Sequence, residues 1–283
     1  MQRVIIFLIA IPLLFACSTN NTKSDNNKTD DQPKVVTNVE DGAATISYAK
    51  EDMVVDSTRN ETTSDKPKSI SGLVSKTGKA EAERGTIEDE DEALNLRRAR
   101  TQFTNGTTYY KEGELDKAIE SFKNSLEFKP DNDKAFYNLG KIYYDQGQKE
   151  LSLSYYKDAV RINPGDSLSL VAIGLLYYEK GNMEEALRYY NQTVDIAPKF
   201  GMVYFNRGTM FGQNKNYDQS LEDLTKAIQY DSENSEAYIN RGLAYFYTKN
   251  IELACKDWKK AESMGNPKGK QAVEIYCSGK KKK

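Results

Sequence analysis

Apolar and polar positions divide the chain into three regimes. Val4 to Phe15 is almost wholly apolar, broken only by Pro12, with Arg3 ahead of it. From Ser18 to about residue 87, Asn, Thr, Ser, Asp and Lys dominate, and no apolar period of about 3.6 or about 2 residues is sustained. The remainder repeats. Gly106, Gly140, Gly174, Gly208 and Gly242 each stand 34 positions after the last, and Tyr109, Tyr143, Tyr177, Phe211 and Tyr245 keep the same step. Pro130, Pro164 and Pro198 do so as well. A fixed period of this length predicts helix pairs stacked in an array, because one pair cannot bury its apolar face alone.

The first regime is too short to cross a bilayer core, which needs about 20 apolar residues, and has the length of a signal-peptide core. Residues 1–16 are therefore set aside from the fold. Leu14-Phe15-Ala16-Cys17 resembles the lipobox of bacterial lipoproteins. That resemblance implies export, cleavage before Cys17 and lipidation of its thiol; a chance cysteine after an ordinary secretory signal is the alternative. Two or more acyl chains anchor stably where one is marginal. The expected location is the cell envelope, in the outer membrane facing the periplasm. Residues 17–87 read as a lipid-anchored flexible linker, too polar to offset the entropy of ordering. Some 70 residues of such chain reach about 45 Å root-mean-square. Thr37 to Val55 is the piece that could order on a partner.

The repeats resemble the tetratricopeptide family over about 99–268, without insertion or deletion. That family places a large residue at position 4, small residues at 8, 20 and 27, aromatics at 11 and 24, and proline at 32. The second unit supplies Phe136, Gly140, Tyr143, Ser152, Tyr156, Ala159 and Pro164; the third supplies Leu170, Gly174, Tyr177, Ala186, Tyr190, Thr193 and Pro198. Departures are Gln102 in the first unit, Leu224 and Ser232 in the fourth, and a proline moved by one to Pro267 in the fifth. The resemblance implies an all-α, right-handed superhelical solenoid of five units: 99–132, 133–166, 167–200, 201–234 and 235–268. A helical lead-in over 88–98 should begin near the acidic run Glu88 to Glu92, where acids suit the helix dipole. Residues 269–283 should form a capping helix and a solvated basic tail.

Cys255 and Cys277 fall on the last unit and its cap. An oxidising compartment and an even cysteine count after lipidation fit a disulfide; two buried thiols are the alternative. The Ala254-Cys255-Lys256-Asp257-Trp258 stretch, with a second cysteine some twenty residues on, resembles the final unit of tetratricopeptide proteins from the Bacteroidota.

In this family the first helix of each unit lines a concave groove through positions 2, 5, 9, 12 and 13. The resemblance therefore implies a partner-binding groove of Phe103, Tyr110, Tyr137, Asn138, Tyr144, Tyr178, Phe205, Asn206, Asn240 and Phe246. Of each tandem pair, such as Tyr143-Tyr144, the first ring is expected in the core and the second in the groove. The position-12 rings serve either as groove or only as packing between neighbours, and both readings stay open. Asn138, Asn206 and Asn240, at position 6, either bond an extended ligand or satisfy their own helices. The family's carboxylate-gripping variant needs lysine at position 5, which is apolar or aromatic here throughout, so chaperone tails are not the expected ligand.

Composition narrows the chemistry. The chain has no histidine and a net charge of -2. It lacks the commonest general base and zinc ligand, and shows no phosphate loop or nucleophile elbow. No enzyme, cofactor, metal or nucleic-acid role is expected. The expected function is a non-catalytic scaffold binding one or more envelope proteins; glycan or peptidoglycan binding is the alternative. Dimerisation through end units stays open.

Overall fold

The computed structural model describes the backbone of residues 76–277, with side chains from residue 90 onward. The signal and lipidation readings, Cys17 included, and most of the linker lie outside the described residues. α1 runs over Lys76–Glu112 and pairs with α2, Leu115–Phe128. Then follow α3 (Asp133–Asp145) with α4 (Lys149–Ile162), α5 (Ser167–Glu179) with α6 (Met183–Ile196), and α7 (Gly201–Gln213) with α8 (Tyr217–Tyr230). The fifth pair is α9 (Ser235–Tyr247) with α10 (Ile251–Ser263). α11 (Pro267–Ala272) continues into one π turn over Val273–Cys277. No strand occurs among the described residues.

One expectation is corrected. α1 does not begin at the acidic run but at Lys76, twelve residues before Glu88, so the linker cannot extend to residue 87. The added turns carry no apolar stripe, and residues 90–98 are exposed. Alanine, glutamate, lysine and arginine are strong helix formers, so propensity extends a helix that the repeat has already nucleated.

Each unit starts and stops for local reasons. Asn132, Asp166 and Asn234 precede the first helices of their units, and each side chain accepts a backbone N–H of the first turn. Phe200 holds that place before α7 and offers no such bond. Between the helices of a unit the chain turns through a left-handed residue. Gly113, Gly147 and Gly181 serve in the first three units, with φ of 81°, 74° and 79°. Lys215 and Lys249 serve in the last two, each at φ 64°, where a β-carbon is strained.

The helices of a unit touch at the glycine of the fixed period. A β-carbon on Gly140 would lie 2.7 Å from the Tyr156 ring, on Gly174 2.6 Å from Tyr190, and on Gly242 2.5 Å from Trp258. Gly106 meets Phe122 and Gly208 meets Leu224 in the same way. These large partners are themselves buried. Ser152 Oγ donates to Gly140 O at 2.7 Å, and Trp258 Nε1 donates to Ile239 O at 3.3 Å, so these two polar groups drawn in are satisfied. Successive units then stack, with α5 against α7 and α7 against α9, which sets the first helices along one side.

Cys255 and Cys277 are joined by a disulfide, with Cα atoms 5.6 Å apart. It fastens the π turn to α10, where Tyr276 lies 5.5 Å from Trp258 and 4.9 Å from Phe246 between ring centroids.

Two outcomes are expected in urea titration. Gly174→Ala would stabilise an exposed helix, but here overpacking dominates and the protein loses about 1–3 kcal/mol. Lys249→Gly relieves the left-handed strain and raises stability by about 0.5–1 kcal/mol, after allowing for glycine's freer unfolded chain.

Candidate functional site

The face built by α1, α3, α5, α7 and α9 is where the sequence places a partner. Its most regular feature is a row of hydrogen bonds between neighbouring units. Tyr110 Oη donates to Asp145 Oδ2 at 2.7 Å, and Tyr144 Oη donates to Glu179 Oε1 at 2.6 Å. Tyr178 Oη donates to the Gln213 side-chain oxygen. Each tyrosine at position 12 thus reaches position 13 of the next unit. Lys149 approaches the other oxygen of Glu179 at 3.1 Å, so that nearly buried carboxylate is held from two sides. The row stops at Gly212. Tyr247, which a fourth tyrosine would have met, is 45% exposed and stacks on Tyr217 at 5.2 Å.

Both readings of the position-12 rings therefore meet in one side chain. Tyr110 is buried, while Tyr144 and Tyr178 are half-buried. Their hydroxyls tie units together, and the rings of the latter two keep an open edge. The position-11 rings pack within their own units, Tyr143 stacked on Tyr155 at 5.3 Å and Tyr177 on Tyr189 at 5.6 Å. Tyr109 and Tyr177 keep part of their surface, each with a lysine over the ring.

Several expected groove residues are placed elsewhere. Phe103 is buried edge-on against Phe122 at 5.4 Å, and Tyr137 is buried against Tyr156 at 5.6 Å. Phe205 belongs to the core shared with Val203 and Leu224. Position 5 turns toward the second helix of its own unit, which absorbs its ring. Phe246 is half-buried beneath Tyr276 of the cap, where the solenoid ends and the groove closes. Asn138 and Asn206 are buried, and Asn206 Nδ2 donates to Met202 O of its own helix. Asn240 is half-buried, and its Nδ2 donates to Thr209 Oγ1 at 2.9 Å.

Other residues on this face escaped the sequence reading. Asp145, Glu179 and Gln213 accept the tyrosine bonds; the signal for the first two was the acid directly after the tandem tyrosines in Tyr143-Tyr144-Asp145 and Tyr177-Tyr178-Glu179, and Gln213, after Phe211-Gly212, had none. Lys141, at position 9, is 1% exposed, 3.8 Å from Asp145 and 5.5 Å from the Tyr110 ring centroid. Away from the face, Arg207 grips Asp223 through two nitrogens at 2.7 and 2.9 Å, and Arg241 grips Asp257 through two at 2.8 Å. These bidentate pairs replace, in the last two units, the tyrosine stacks of the second and third.

Among the described residues, no group of histidine, cysteine, aspartate and glutamate is arranged to hold a metal, and no helix is long and apolar enough to cross a membrane.

Family models for tetratricopeptide repeats match residues 133–166 and 168–200, and a model described as TPR repeat matches 106–147 and 208–249. No curated protein sequence matches the chain significantly. Among solved structures, the thermophilic TPR protein TTC0263 of Thermus thermophilus is similar, with 19% identity and a TM-score of 0.52, covering 64% of this chain and 97% of that one. A MamA protein is similar at 22% identity and TM-score 0.50, over 61% of this chain and 94% of its own. MamA from Desulfovibrio magneticus RS-1 is similar at 14% identity and TM-score 0.51, over 59% and 95%. At these identities the likeness concerns the fold.

Burial pushes the Tyr144 phenol well above its ordinary value of 10.0, and the hydrogen bond to Glu179 adds to this; Tyr190 is pushed up mainly by burial. For an acid raised on folding, stability is complete below the unfolded value and lost as pH rises above it. Urea midpoints should therefore hold up to about pH 10 and fall beyond it. At neutral pH, Tyr144→Phe should cost about 1.5–3 kcal/mol, since its acceptor is charged. The Tyr190 hydroxyl is buried with no hydrogen-bond partner. Tyr190→Phe should be neutral or stabilising at neutral pH and should reduce the alkaline loss.

Proposed function

Because the chain is a tetratricopeptide repeat protein, we propose that it is a non-catalytic docking scaffold which holds a segment of another protein against its row of first helices. The observation that carries this reading is the row of phenols running from unit to unit. Tyr110, Tyr144 and Tyr178 link four successive helix pairs, and part of the surface of Tyr144 and Tyr178 stays accessible. A rigid face with amphipathic edges suits an extended polypeptide, because little side-chain entropy is lost on binding. Leu168 and Met202, half-buried at position 2, add apolar surface to the same side.

The location belongs to the same proposal. The lipobox-like Leu14-Phe15-Ala16-Cys17 would anchor the chain through Cys17 in the bacterial envelope, facing the periplasm. The disulfide between Cys255 and Cys277 supports an oxidising compartment. Its partners would then be envelope proteins. Peptide docking is favoured over glycan binding. A sugar platform needs an open ring face, whereas Tyr144 and Tyr178 are half-buried and Tyr247 is already stacked on Tyr217.

Photo-crosslinking from single positions in the native host tests the face without breaking the tyrosine row. Probes at Leu168 and Met202 should capture discrete partner chains, while probes at Lys157 and Arg188 on the second helices should not. Equal capture from both sides, or none from the first, would overturn the reading.

A further inference from the structure

The tyrosine row breaks at one place, and the surrounding side chains do not close over the break. Position 12 carries Tyr110, Tyr144 and Tyr178 in the first three units and Gly212 in the fourth. A β-carbon on Gly212 would meet only Ser220, with Oγ at 3.0 Å and Cβ at 3.7 Å. Beyond the backbone of its own helix and its chain neighbours, no other described atom lies within 4 Å of that point. On Gly140 and Gly174 the same point meets a tyrosine ring at 2.7 and 2.6 Å. Gly212 is itself part-exposed.

The borders of this gap are aromatic. Tyr247 is the position-13 side chain that a phenol at position 12 would reach, and it keeps much of its surface exposed. Tyr217 stacks on it, and Phe246 meets it edge-on with ring centroids 5.9 Å apart. Ser220 supplies an independent observation. Its side chain is 1% exposed, and its Oγ, at the root of the gap, has no hydrogen-bond partner. Its counterpart Ser152, at the same position of the second unit, donates to Gly140 O. A buried hydroxyl left unpaired is costly, so a polar group arriving beside it is favoured. Charge plays little part. Asp145 and Glu179 lie in earlier units and are held by Tyr110 and Tyr144. Lys215 and Lys249 stand exposed in the turns after α7 and α9.

Resting on the docking reading above, the geometry points to the Gly212 gap as the anchor site for an aromatic side chain of the docked segment. That ring takes the place of a fourth tyrosine in the row. The chain supplies the precedent, since the earlier units seat a phenol at this position and Tyr110 is buried to 8% exposure there. A ring from a partner would lie against Tyr247 and Phe246, and ring pairs attract beyond the area they bury. It would also join the fourth unit to the fifth, where the row supplies no bond. One aromatic anchor in a recess concentrates affinity in a single side chain of the ligand.

The test uses the full chain and p-cresol, the tyrosine side chain cut free, followed by amide NMR. p-Cresol should shift the Gly212, Ser220 and Tyr247 signals saturably, with a dissociation constant on the order of 1 mM for so small a ligand. Methylcyclohexanol, of similar size without a π face, should bind roughly fivefold more weakly. Gly212→Tyr fills the gap from within. It should abolish the shifts without lowering the urea midpoint, since the added β-carbon meets a hydroxyl that can rotate. Tyr247→Ser removes one border at an exposed position and should weaken p-cresol several-fold. In the native host, Gly212→Tyr should cut partner capture from a probe at Met202 by about tenfold. Absent or unsaturable shifts, equal affinity for the two alcohols, or capture unchanged in Gly212→Tyr each overturn the proposal. So does a wild-type dimer that Gly212→Tyr dissociates, which would make the occupant a second copy. The docking reading survives all of these. It fails separately if probes at Leu168 and Met202 capture no partner, and the p-cresol titration then still decides whether the gap takes a ring.

Discussion

Everything in the array depends on one close contact, made five times, between a glycine on the first helix of a unit and a large side chain on the second. Where Gly174 faces Tyr190 there is no room for even a methyl group. That contact sets the distance between paired helices, and the distance fixes where the next pair can seat. The partner need not be the same residue. Phe122, two tyrosines, Leu224 and Trp258 fill the place in turn, because what the glycine requires is a close-packed surface rather than a given ring. Leu224 brings the smallest of these surfaces, and the fourth and fifth units carry bidentate arginine–aspartate pairs alongside.

Coupling between units has another origin. Stability in a stacked array is close to a sum of unit terms and nearest-neighbour terms. The tyrosine row supplies directional neighbour terms among the first four units, and its first two bonds, to carboxylates, are worth more than the neutral third. At Gly212 the row lapses, and the fourth and fifth units rely on packing and on the Asn240–Thr209 bond. The face offered to a partner is therefore firmest along its first four units.

The fold was legible in the sequence because its period is strict. Glycines, aromatics and prolines at a constant step specify helix pairs, and helix starts follow from Asn132, Asp166 and Asn234. The start of α1 was not legible, because propensity alone continued it and left no apolar pattern to read. The face was legible only by half. Position numbers identify a helix side, but Phe103 and Tyr137 turn toward their own second helices, and a ring's direction depends on the volume of the residue it meets. The link from Tyr144 to Glu179 was visible as a recurring tyrosine–acid pair. Its meaning depended on the stacking offset between units, which no single unit encodes.

The disulfide between Cys255 and Cys277 gives this otherwise one-dimensional object a direction. An array of stacked pairs frays from its ends, and closing one end covalently leaves the other as the place where unwinding starts. That free end is the side to which a membrane anchor at Cys17 would pull. Tension on the linker would then peel the array from its first pair inward while the last stays latched, so mechanical load and thermal fraying would run along the same route.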